Sequence, residues 1–139
     1  MTDKNLETAL RMLARKGYHS LELAKKLKEK GIGPDDVAEV VEKLQKMGYL
    51  DDEAWENSYI EAFIRKGKGS SALGYYLHAK GLLSLLPKLK ERVQDGEKAG
   101  LEAEIKKFRV DLEDPKEKQR LFQRLQRRGF NIELILSVL

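Results

Sequence analysis

The chain has 139 residues, which is enough for one domain of ordinary size or for a short array of small repeats. Its 27 basic and 23 acidic side chains give a net charge of only +4, so overall charge points only weakly to anionic partners. The absence of cysteine excludes disulfides, thiolate catalysis and cysteine-based zinc sites. Residues 1–10 do not read as a signal peptide and no stretch is long enough to span a bilayer, so we expect a cytoplasmic protein.

Apolar residues recur at helical spacing along almost the whole chain, and alternating strand-like runs are absent. The sequence therefore predicts an all-α fold with nine helices. Pro34 and Pro87 fall in the first turns of the third and sixth helices, and Asp51 or Asp52 is the expected N-cap of the fourth. The nine apolar stripes include, in chain order, Leu10, Leu23, Val40, Tyr59, Leu77, Leu89, Ile105, Leu125 and Ile135.

One helix ending occurs three times along the chain. Leu27-x-x-Lys30-Gly31 returns as Leu77-x-x-Lys80-Gly81 at an offset of 50, and as Leu125-x-x-Arg128-Gly129 after 48 more residues. Each copy combines an apolar anchor, a cation near the negative end of the helix and a glycine free to adopt the left-handed conformation. Arg15-Lys16-Gly17 and Arg65-Lys66-Gly67 share the offset of 50. This period predicts three stacked three-helix repeats, with boundaries at residues 1–50, 51–96 and 97–139.

The same segments resemble the RecX family. Arg15, Ser20-Leu21-Glu22-Leu23 and Leu27-x-x-Lys30-Gly31 are similar to its opening motif. Residues 48–55 resemble its glycine, apolar pair, paired aspartates and downstream aromatic, and residues 65–82 resemble its second helix pair. Arg127-Arg128-Gly129-Phe130 looks like its closing signature. The resemblance covers nearly the whole chain in the right order, although the chain is short for the family and residues 83–105 match only in helical character.

The resemblance implies a tandem array of three three-helix repeats that forms an elongated, curved helical body. It also implies a non-catalytic regulator, acting in DNA repair, recombination and the SOS response, that binds the groove of the RecA–DNA filament. Such a protein inhibits the ATPase, strand-exchange and co-protease activities of RecA, and some relatives bind single- or double-stranded DNA directly. We expect a monomer that needs no cofactor and has no contact with a membrane.

The best candidate for a binding face is the eighth predicted helix, because residues 115–130 hold six basic side chains and the single acid Glu117. A cationic face on one side of a helix suits phosphates or an acidic groove, although a merely solvated surface would show the same pattern. The resemblance favours the binding role and adds Arg128, Arg15 and Arg65 as candidates. The four residues spaced to share one side of the helix are Lys116, Arg120, Arg124 and Arg127.

Other residues that could carry chemistry are better explained by structure. The aspartates at 51–52 lack further ligands for a metal shell, so we assign them to helix capping. His19 is expected in a turn between helices and His78 on a helix surface. Residues 67–71 do not form a phosphate loop, because an amphipathic helix and not a strand precedes them. Tyr75 lies off the main apolar stripe and is expected to be exposed; a stacking role would need an open groove beside it.

The sequence thus leaves several functions to distinguish. In the leading interpretation, the protein bridges adjacent RecA protomers and opposes the rearrangement that accompanies ATP turnover or filament growth. A general DNA-binding helical-repeat protein would instead bind DNA without recombinase and with a steep salt dependence. A protein–protein adaptor would ignore DNA. An enzyme is the weakest interpretation, because no acid–base pair, nucleophile or metal constellation can be assembled.

Overall fold

The structure, a computed structural model, describes residues 3–139. Within this range it contains eight α-helices, two short 3₁₀ helices and no β-strand, so the predicted all-α class is confirmed. No helix in the same range is long and apolar enough to cross a lipid bilayer. The α-helices are α1 (Asp3–Arg15), α2 (Ser20–Glu29), α3 (Pro34–Lys46), α4 (Asp52–Arg65), α5 (Leu73–Ala79), α6 (Leu86–Lys107), α7 (Pro115–Arg127) and α8 (Ile132–Val138), and the 3₁₀ helices are Ser70–Ala72 and Leu83–Leu85.

The chain forms two compact units, of which the first ends at Ser58 and the second begins at Tyr59. In the first unit, α3 packs against both α1 and α2. In the second unit, α7 and α8 pack together and α6 contacts both α5 and α8. The finer division into repeats at residues 1–50, 51–96 and 97–139 stays a prediction. The core of the first unit contains Ala9, Leu23, Leu27, Val37, Val40, Leu44 and Leu50, and a core of the second contains Leu101, Leu121, Leu125, Phe130 and Ile135.

The predicted helix endings are confirmed as Schellman motifs. At the end of α2, Gly31 has a φ of 90°, its N–H donates to the Lys28 carbonyl, and the Ile32 N–H donates to the Leu27 carbonyl. These two bonds satisfy carbonyls that would otherwise lack a partner at the end of the helix. Gly17 differs from its counterpart 50 residues on, because its φ is not positive. The glycines with positive φ are Gly31, Gly48, Gly67, Gly81 and Gly129.

The sixth and seventh predicted helices form one helix, α6, which runs without a break for 22 residues. The prediction of two helices was wrong because the buried stripe of α6 includes two carboxylates, Glu97 and Glu104, which are only 5% and 4% exposed. Gly96 and Gly100 do not end the helix but give it room to approach α4. A Cβ atom added to them would lie 3.1 Å and 3.2 Å from side-chain atoms of Ile64.

The adjacent aspartates Asp51 and Asp52 stabilise the starts of two different helices, α4 and α2. Asp51 is the N-cap of α4, since its carboxylate accepts a hydrogen bond of 3.1 Å from the Ala54 N–H. The Asp52 carboxylate turns to the start of α2, where it accepts bonds from the Ser20 N–H, at 2.7 Å, and from the Ser20 hydroxyl. The expected N-cap of the fourth helix is thus Asp51, and Asp52 instead ties the start of α4 to the start of α2.

Two chain segments of the second unit cross in close backbone contact at Gly69 and Gly129. The Gly69 N–H donates to the Arg128 carbonyl and the Ser71 N–H donates to the Gly129 carbonyl, both at 2.9 Å. A Cβ atom at Gly129 would lie 2.5 Å from the Cβ of Ala72, and one at Gly69 would overlap the backbone of Gly129. The approach therefore requires glycine on both segments.

We expect Gly129→Ala to destabilise the protein far more than Gly31→Ala. The two glycines have similar φ values, 94° and 90°, but no atom lies within 4 Å of a Cβ at Gly31. Gly31→Ala should therefore cost only the left-handed backbone strain, about 1–2 kcal/mol. Gly129→Ala adds the collision with Ala72 and should cost about 3 kcal/mol or more. Thermal melting followed by far-ultraviolet circular dichroism measures the stability of both variants. Equal losses of stability would contradict the close backbone contact at Gly129.

We also expect Asp52→Ala to lower the free energy of unfolding of the first unit by about 2 kcal/mol, because it removes two bonds to Ser20. Asp51→Ala is the matched control and should cost about 1 kcal/mol or less, since its bond to Ala54 is exposed. Trp55 is the single tryptophan and its ring lies 5.3 Å from that of His19. Its fluorescence during urea unfolding therefore reports on this region. A larger loss of unfolding free energy for Asp51→Ala than for Asp52→Ala would refute the assigned role of Asp52.

Candidate functional site

Helix α7 presents the four predicted cations on its exposed side. Pro115 occupies the first turn, and the Asp114 carboxylate caps the helix by accepting the Lys116 N–H at 2.9 Å. Leu121 and Leu125 are 2% and 0% exposed, so they hold the opposite side of the helix in the core. The outward side carries Lys116, Arg120, Arg124 and Arg127, all exposed, which we call the α7 ridge.

The cations of the α7 ridge are not neutralised by the fold. Among residues 3–139, no acidic side chain forms a salt bridge with any of the four. The Arg124 guanidinium carbon lies 4.6 Å from the centre of the Phe108 ring, a cation–π contact that orients it while its N–H groups remain available. Arg120, Arg124, Leu121 and Glu117 line a shallow cavity of about 140 Å³ beside the ridge.

Arg128 is bound into the fold of the second unit. Its Nη1 lies 3.2 Å from Oε1 of Glu104 and donates to the Lys66 carbonyl at 3.3 Å. Glu104 is 4% exposed and also lies 3.4 Å from the Lys107 ammonium, so its charge is compensated by two cations. The same carboxylate stands against Gly67, where a Cβ atom would overlap it. The structure thus gives Arg128 a structural role, and its role in binding stays a prediction.

Arg15 and Arg65 lie in different units. Arg15 is exposed at the end of α1 and lines a shallow cavity of about 160 Å³ together with Arg11 and Lys30. Arg11 and Lys30 were not predicted as site residues, although Arg11 is one helical turn from Arg15 and Lys30 belongs to the first recurring helix ending. Arg65 is exposed in the last turn of α4 and lines a separate cavity with Lys107.

His19 is buried in the first unit and serves the helix start. It is 3% exposed, and its Nδ1 accepts the Leu21 N–H at 3.2 Å, so Nε2 carries the proton and donates to the Glu56 carboxylate at 3.0 Å. His19 thus lies in the expected turn, and His78 is exposed on α5 as predicted. No cluster of three or more His, Cys, Asp or Glu side chains suited to a metal ion occurs in the described part of the chain.

The segment at residues 67–71 is engaged in the fold. Gly67 faces Glu104, Gly69 crosses Gly129, and the Ser70 N–H donates to the buried Glu97 carboxylate at 3.1 Å. A phosphate loop binds its anion through free backbone N–H groups. Here the Ser70 N–H already donates to the Glu97 carboxylate. The geometry therefore agrees with the interpretation that this segment does not bind nucleotide.

Two family models match the chain. The model described as RecX, first three-helix domain, matches residues 6–44. The model described as RecX, third three-helix domain, matches residues 104–139. The first range covers most of α1, all of α2 and most of α3, and the second covers the end of α6 with α7 and α8.

Curated relatives extend the similarity over almost the whole chain. The chain is 34% identical over 141 aligned residues to a regulatory protein RecX of Legionella pneumophila (strain Corby), covering 97% of this chain and 92% of the relative. The identity to the regulatory protein RecX of Acinetobacter baylyi is 30%, over 94% of this chain and 83% of the relative. The crystal structure of RecX from Lactobacillus salivarius has the same fold, with a TM-score of 0.67 and 18% identity over 98% of this chain and 92% of that one. The chain therefore belongs to the RecX family, whose members are regulatory proteins and not enzymes.

Proposed function

We propose that the protein binds the RecA–DNA filament and inhibits its ATPase, strand-exchange and co-protease activities. The observation that carries this proposal is the 34% identity to a regulatory protein RecX over 97% of the chain. A regulator of this kind acts where the chromosome is repaired, which places it in the cytoplasm. It needs no covalent chemistry, because binding across adjacent protomers would itself oppose the rearrangement that accompanies ATP turnover.

The α7 ridge is the surface we assign to filament contact. Its cations are exposed and uncompensated within residues 3–139, and three of the four are arginines, whose planar guanidinium groups form paired hydrogen bonds with phosphates and carboxylates. The contact of Arg124 with Phe108 reduces the side-chain freedom that would be lost on binding. The ridge therefore suits an anionic surface, either the acidic groups of the filament groove or the phosphates within it.

The direct test is single-strand-DNA-dependent ATP hydrolysis by RecA of the same organism, with this protein added at increasing substoichiometric amounts. We expect strong inhibition that excess single-stranded DNA does not relieve, because the protein binds the assembled filament. Inhibition that excess DNA abolishes would point to simple competition for DNA. No inhibition would refute the proposal and favour a protein–protein adaptor.

We expect the double variant Arg120→Ala/Arg124→Ala to raise the concentration for half-maximal inhibition about tenfold, equivalent to about 1.4 kcal/mol of binding free energy. The melting temperature should change little, since both side chains are exposed. Lys118→Ala is the matched control, because Lys118 is exposed on the same helix but outside the ridge. Equal weakening by the control would show that only net charge matters, and would remove the ridge from the binding surface.

Arg128→Ala should act on stability. It removes the bond to the buried Glu104 carboxylate, which should lower the free energy of unfolding by about 1–3 kcal/mol. Arg124→Ala loses only an exposed cation–π contact and should cost about 0.5 kcal/mol. Urea unfolding of both variants measures the difference. If Arg128→Ala weakened inhibition with unchanged stability, Arg128 would belong to the binding surface instead.

A further inference from the structure

A cleft in the second unit combines positive charge with aromatic rings. It has a volume of about 160 Å³ and contains the side chains of Lys66, Lys68, Lys80, Tyr59, Phe63 and Tyr76. No acidic residue lines it, and within residues 3–139 none of the three lysines forms a salt bridge. The cleft thus holds a cluster of uncompensated cations that does not belong to the α7 ridge. Such a cluster is suited to bind an anionic ligand.

The rings of the cleft are held by the core. Phe63 is 4% exposed and packs almost perpendicular to Tyr76, with the ring centres 6.0 Å apart. Tyr59 stacks on Phe63 at 6.4 Å. Burial raises the pKa of the Tyr59 phenol above its ordinary value, and the neighbouring Tyr76 adds to the rise, so Tyr59 stays neutral. The cleft therefore has a rigid aromatic base with its positive charge supplied by lysines.

Beside the cleft, Tyr75 offers its ring to solvent. It is 76% exposed, more than any other large apolar or aromatic side chain in the described range. Its ring centre lies 5.3 Å from that of Tyr76, with the two planes at 86°, so Tyr76 braces it. Lys68 lies on the same ring pair, its ammonium 3.8 Å from the centre of Tyr76. The exposed ring of Tyr75 is suited to stack on a base, and the ammonium of Lys68 beside it is suited to bind the phosphate of the same nucleotide.

We propose that this cleft, with Tyr75 at its edge, binds single-stranded nucleic acid. A base stacks on Tyr75, and the flanking phosphates bind Lys68 and the neighbouring Lys66 and Lys80. A single strand fits better than a duplex because its bases can leave the stack and expose their faces, whereas paired bases cover one another. The proposal does not rest on the RecA assignment, since it concerns nucleic acid alone.

The test is fluorescence anisotropy of a labelled oligothymidylate, titrated with the full chain without RecA. Tyr75→Ala should weaken binding about tenfold, and Tyr75→Phe should bind within about twofold of the original, because phenylalanine keeps the stacking surface. Tyr49→Ala, which removes a 55% exposed tyrosine of the first unit, is the matched control and should leave binding unchanged. An oligouridylate measured in parallel tells DNA from RNA, and Tyr75-dependent binding of either supports the site.

The lysines are tested by salt dependence. Lys68→Ala should reduce the slope of log binding constant against log salt by about 0.7, the value for one phosphate on a single strand. Lys98→Ala removes an exposed lysine of α6 outside the cleft and should leave the slope unchanged. Equal effects of Tyr75→Ala and Tyr49→Ala, equal slopes for the two lysine variants, or no binding at low salt would each overturn the proposal. Preferential duplex binding would overturn it as well, and none of these results affects the ATPase test.

Discussion

The second unit depends on the close crossing of its chain at Gly69 and Gly129. At the crossing the two segments are joined by two backbone hydrogen bonds of 2.9 Å. These bonds satisfy carbonyls at the end of α7 that would otherwise lack partners. The side chain of Arg128 strengthens the same place by its ion pair with the buried Glu104, which also faces Gly67. The backbone hydrogen bonds and this ion pair together therefore fix the ends of α4 and α7 and the last turn of α6.

The basic residues near this crossing have two different roles: some compensate charges within the fold, and others are exposed and can bind a partner. Arg127 and Arg128 are neighbours in sequence, yet Arg127 is exposed and Arg128 compensates a carboxylate that would be costly to bury alone. A basic motif can thus contain one residue for the fold and one for a partner. The α7 ridge is the part of this segment whose charge the fold does not use.

A regulator without catalytic chemistry acts through its binding surfaces, so the distribution of charge over the surface matters for its function. The net charge is only +4, but cations concentrate on the α7 ridge, in the cleft beside Tyr75 and in the cavity lined by Arg11, Arg15 and Lys30. Local fields of this kind guide an anionic partner even when the overall charge is small.

The sequence by itself determined the all-α class, the recurring helix endings and the one-sided charge of α7. These features are local, because a Schellman motif or a helix face depends only on residues within one or two turns. Tertiary structure alone decided that α6 is continuous and that Arg128 serves the fold. It also decided that Lys68 lies against Tyr76. The buried carboxylates Glu97 and Glu104 read as solvated positions because each has a partner far away in sequence, Ser70 for Glu97 and Arg128 for Glu104. Only the packed chain brings such partners together, and desolvation makes the pairing obligatory.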